Sequence, residues 1–150
     1  MDYTASSFRL KRPTVSIAMS IMDDGIGYQV GHCATELMNA AVSVHKLHLS
    51  ITGPGSFAAH LALKDLYEAL PGHADDLVEG YQGAACELVT CENSVPKTLN
   101  SVEDCLSYIK ELKDTITNLQ AMLSYSEVIN DLDSTKSTLN SAAYKLKFLQ

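Results

Sequence analysis

Four side chains in this sequence combine imidazole and carboxylate chemistry at definite intervals: His48, His60, Asp75 and Glu79. Neutral imidazole nitrogens together with carboxylate oxygens form a donor set suited to iron, manganese or zinc, and helical bundles use this mixture to hold paired metal ions. Asp75 and Glu79 are four residues apart, so on a helix they share one face and can grip one ion. His48 and His60 flank the glycine- and proline-rich stretch "SITGPGSFAA". Antiparallel helices on either side of that turn let the two histidines face each other. The two pairs cannot meet within one chain, because the fifteen residues from His60 to Asp75 span roughly 22 Å of helix at about 1.5 Å per residue. Either a site of all four residues is assembled between two copies of a homo-oligomer, at their interface, or it does not exist.

Other motifs carry less. "TGPGSF" is no phosphate loop, since Lys and Ser/Thr do not follow the glycines. "DLDSTKSTLNSA" opens like a calcium loop but has Lys136 at its sixth place and Ala142 at its twelfth, where Gly and Glu belong. His32, His45 and His73 stand singly and read as surface or hydrogen-bonded residues rather than ligands. Cys33, Cys86, Cys91 and Cys105 form no CxxC pair. They read as reduced core or loop residues, although Cys86 and Cys91 are close enough in sequence to bridge or to supply half a zinc site.

The elements that must position the four residues follow from apolar periodicity. Residues 1–28 read as an irregular N-terminal arm closed by "DDGIGY", and residues 29–150 as the folded domain. Val30, Leu37, Val44 and Ile51, with Cys33, Ala40 and Leu47, mark one seam of a first helix. "TGPG" ends it, with Gly53 suited to a left-handed turn, and Gly55 or Ser56 caps the next. The second seam, Leu63, Leu70 and Leu77 beside His60, Tyr67, Ala74 and Tyr81, keeps phase across Pro71 and Gly72. That phase predicts a kinked but continuous helix, despite a cost of about 3 kcal/mol for an interior proline. After the longer connection "YQGAACELVTCENSVPK", a third seam carries Val102, Ile109, Ile116 and Leu123 with Cys105, Leu112 and Leu119. A fourth helix starts near Ser124 or Ser126, its seam of Leu132, Leu139 and Leu146 weakened by Thr135. The pattern predicts an all-α fold, a four-helix bundle with one longer middle connection.

With 150 residues the chain is large enough for one buried core. Its formal charge of −7 argues against a broad nucleic-acid surface. The single basic cluster, Arg9, Lys11 and Arg12 in "FRLKR", is a solvated tail or, as a weaker reading, a DNA contact. No apolar run approaches the roughly 20 residues of a membrane span. "VSIAMSIM" is too short for a secretion signal, and Asp23 and Asp24 follow it. The sequence therefore reads as a non-secreted protein without a membrane partner.

The pattern H-x11-H-x14-D-x3-E, with "TGP-x-F" between the histidines, resembles Dps, the starvation-inducible DNA-binding miniferritins, over about residues 30–82. "EGYQGA" and "AAYKLKFLQ" are similar to short ferritin-like proteins of tailed bacteriophages. The resemblance implies a ferroxidase site at a two-fold interface, with His48 and His60 from one subunit and Asp75 and Glu79 from its mate, and iron as the metal oxidised there. One departure stands out. The position four residues after the second histidine, a carboxylate in the family, is Lys64 here. An ammonium there repels cations, which weakens a ferroxidase site and leaves a mononuclear site or none. The resemblance implies a cytoplasmic location in a bacterial host. The alternative is a non-enzymatic virion protein that uses the bundle as a scaffold among other virion proteins.

Overall fold

The computed structural model describes residues 17–149, with side chains from residue 25 onward. The fold is an all-α four-helix bundle: α1 (Ile17–Ser50), α2 (Ser56–Ala85), α3 (Val102–Gln120) and α4 (Ser126–Phe148). Arg9, Lys11 and Arg12 lie outside the described residues. The arm expected through residue 28 ends sooner, because α1 already starts at Ile17 and runs through "DDGIGY". Glycine weakens a helix by only about 1 kcal/mol, and tertiary contact outweighs it. A side chain at Gly27 would run into the Glu87 carboxylate, so this glycine admits a neighbouring segment.

The apolar seams meet in one core. Val30, Leu37, Leu63, Leu70, Leu77, Ile116, Leu132, Leu139 and Leu146 are fully shielded from solvent. Thr135, expected to weaken the fourth seam, is buried and donates its hydroxyl to the Asp131 carbonyl at 2.9 Å, so no polar atom is stranded there. Helix α2 continues through Pro71, as its phase required. Pro71 and Gly72 are exposed, so the proline ring packs against no buried neighbour. Gly53 and Gly55 both adopt positive φ, 96° and 76°, and Gly55 is the residue that caps α2. The cap of α4 is Tyr125 and makes no side-chain bond, so neither serine expected there serves.

Helices α1 and α2 form an antiparallel hairpin. The connection after α2 then runs back alongside α1: Thr35 contacts Glu92, and Asn39 donates to Ser94. It delivers the start of α3 beside the α1–α2 turn, where Asn100–Glu103 and Ile51–Ser56 line a common cavity. Helix α3 therefore descends beside α1, and α4 returns antiparallel to α2, as the Asp65–Lys145 and His73–Thr138 contacts show. The order is up-down-down-up, with a single long crossover.

Helix α3 starts with a reciprocal cap. The Ser101 hydroxyl accepts from the Asp104 amide at 3.1 Å, and the Asp104 carboxylate accepts from the Asn100 amide at 2.8 Å. Ser101→Ala is expected to lower stability by about 1 kcal/mol, read as a lower urea midpoint with unchanged slope, and Ser101→Asp is expected to restore most of it.

Candidate metal centre

His48 lies in the last turn of α1 and His60 in the second turn of α2, so the glycine–proline turn folds one onto the other. Their rings stack with centroids 3.7 Å apart at an angle of 22°. The His48 Nδ1 is 2.9 Å from the His60 carbonyl oxygen, and the His60 Nδ1 is 3.1 Å from the His48 carbonyl oxygen. A carbonyl only accepts, so each Nδ1 is the donor and carries the hydrogen. In a neutral ring this leaves the lone pair on Nε2. Tying one ring nitrogen to a backbone carbonyl is also how proteins fix the tautomer and direction of a metal-binding histidine. The His48 carbonyl belongs to a helix end, where carbonyls lack helical partners. The exchange therefore satisfies the backbone as well.

Two further rings complete the cluster. His45 stacks on Tyr67 at 4.0 Å and lies 5.9 Å from His48, and Tyr67 presents its edge to His48 at 5.2 Å. Neither had been assigned a place at the site from sequence. The signal was the three-residue step from His45 to His48 and the heptad step from His60 to Tyr67, which put each pair on one helical face.

Asp75 and Glu79 lie in the second half of α2 and are exposed. Because α2 is unbroken, their separation from His60 stays near the roughly 22 Å of the helical rise. Among the described residues, no three His, Cys, Asp or Glu side chains gather to hold an ion within one chain. Lys64, one turn beyond His60, is half exposed and pairs with Glu68 at 3.8 Å. Asp65 is engaged instead with Lys145 at 2.7 Å.

The remaining titratable groups have structural roles. His32 contacts Glu92 at 3.4 Å and stacks on Tyr28, and the Tyr28 hydroxyl and His32 hold the Glu92 carboxyl below its ordinary pKa. His73 meets the Thr138 hydroxyl at 2.9 Å, and burial lowers its pKa. Cys33 and Cys105 are buried thiols pushed up to about 12 by desolvation, whereas Cys86 and Cys91 are exposed and free. No described helix is long and apolar enough to cross a membrane.

Residues 48–146 match the model of a protein family described only as a family of unknown function (DUF5856). The matched stretch contains both histidines, Lys64 and both carboxylates. No curated protein matches the chain, and no solved structure does.

Proposed function

The chain belongs to DUF5856, a family of unknown function, and we propose that it is a Dps-like homo-oligomer binding iron(II) at a site shared by two copies. The carrying observation is the reciprocal Nδ1-to-carbonyl bonding of His48 and His60, which leaves an Nε2 lone pair on each ring. These nitrogens are half of a ligand set. The exposed Asp75 and Glu79 of a second copy supply the other half. The single crossover of the bundle is the connection that ferritin-like folds use. A stripe of exposed residues on α1, Met38, Val42, His45 and Leu49, runs beside the histidine pair and offers an apolar face to a second copy. Bound iron would be the substrate of oxidation by oxygen or peroxide, with the Lys64 charge opposing a second cation.

Mixed oligomers test the shared site. Wild type is expected to bind iron(II), whereas His60→Ala alone and Asp75→Asn/Glu79→Gln alone are not. In a mixed dimer of the two variants, one site loses both halves and the other keeps both, so mixing is expected to recover binding. Failure to recover, or stoichiometric binding by a monomer, would refute the shared site.

A second reading rests on the same geometry. The histidine exchange is complete without metal and clasps the turn end of the α1–α2 hairpin, which suits a scaffold protein of a virion. On that reading His48→Ala lowers stability, and wild-type protein takes up no iron.

A further inference from the structure

We propose that the apolar face formed by the start of α2 and the end of α4 is a two-fold contact with a second copy of this chain. This contact is separate from the α1 stripe and independent of any metal. Phe57 and Leu61 lie one turn apart on α2, and Phe57 is 75% exposed. Phe148 and Leu149, at the end of α4, are also exposed. Between the two helices lies a depression of about 260 Å³ lined by Ala58, Leu61, Ala62, Asp65, Lys145 and Leu149. This side of α2 turns toward α4, whereas His60 and Tyr67 turn toward α1.

Two observations select a second copy as the occupant. The first is shape. A two-fold contact sets a surface against itself, so it must carry both the projection and the recess. Here the exposed Phe57 ring stands one helical turn before Leu61, which lines the apolar recess, and a cavity of about 150 Å³ already accommodates benzene. The second is charge. The chain carries −7, so two copies repel over most orientations. Among the described residues, the charged groups lining the recess are Asp65 and Lys145, which pair at 2.7 Å and cancel. At its edge the Lys147 ammonium lies over the Phe148 ring, 5.3 Å from its centroid. The recess is therefore locally neutral on an acidic chain, so a second copy meets less like-charge repulsion there than over the rest of the surface.

The test is the solution mass of the full chain, kept metal-free with a chelator and measured by light scattering. Phe57→Asp and Leu149→Asp alter exposed side chains, and circular dichroism checks that both keep their helix content. Each is expected to halve the mass. Leu88→Asp, at a 90% exposed position on the crossover, is expected to leave it unchanged. A monomeric wild type, an unchanged mass in both variants, or an equal loss in Leu88→Asp would overturn the proposal. So would a mass unaffected by Phe57→Asp but raised by deleting residues 2–12, which would assign the face to the chain's own N-terminal segment. None of these outcomes depends on iron, so iron binding and this contact can fail separately.

Discussion

Replacing Lys64 with aspartate is expected to raise iron(II) affinity at least tenfold and to speed its aerobic oxidation. The substitution removes a positive charge one helical turn from His60 and puts an oxygen ligand in its place. A unit charge at about 4 Å is worth on the order of 4 kcal/mol at an effective dielectric near 20. Lys64 is about half exposed, and solvent screening cuts that figure severalfold. Its bond to Glu68 is an exposed i,i+4 pair of about 0.3–0.5 kcal/mol, so its loss costs little stability. Iron(II) oxidation by wild type, Lys64→Asp, and Lys64→Asp combined with His60→Ala supplies the measurement. A gain in the single variant that disappears in the double one identifies the histidine pair as the site. Identical rates in all three would leave the histidines as a hairpin clasp and nothing more.

Gly31→Ala is expected to destabilise the fold by about 2 kcal/mol, although alanine is the better helix former. A Cβ at Gly31 would collide with the Thr90 carbonyl oxygen and lie 3.1 Å from the carbonyl carbon. Both are backbone atoms, so no rotamer change relieves the contact and the crossover must lift off α1. Overpacking of this kind costs about 1–3 kcal/mol, and at least one bond that anchors the crossover goes with it. Gly83→Ala provides the control, since nothing lies within 4 Å of a Cβ there. That helical site is expected to gain about 0.5–1 kcal/mol. Urea unfolding of both variants tests the pair of signs. A stabilised Gly31→Ala would show that the crossover is loosely seated.

The bundle itself was largely legible, because seams such as Ile109–Ile116 and Leu132–Leu139 record burial directly in residue type. The histidine stack was legible too, because a short turn fixes the partners across it. The path of the crossover was not. Its contacts join residues such as Thr35 and Glu92, 57 positions apart, and no local periodicity encodes such a pairing. Its trace in the sequence is the spacing of Gly27, Gly31, Thr35 and Asn39, small or polar residues every fourth position on the α1 face that receives it. Gly27, with Gly25 in "DDGIGY", looks like a breaker to a reading of local propensity, so the arm expected from sequence extends through residue 28. The pairing of His45 with Tyr67 was illegible for a related reason: it joins α1 to α2, and neither helix's own periodicity encodes it.

The crossover also divides the molecule in time. Each hairpin is joined by a short link, five residues between α1 and α2 and five between α3 and α4, so its contacts are near in sequence and close quickly. If the 16-residue crossover settles into its groove only after the two hairpins have docked, the Gly31–Thr90 contact is a late event. A substitution there should leave the refolding rate nearly unchanged and appear almost wholly as faster unfolding. A chain cut within the crossover would then yield two helical hairpins that reassemble in a concentration-dependent step.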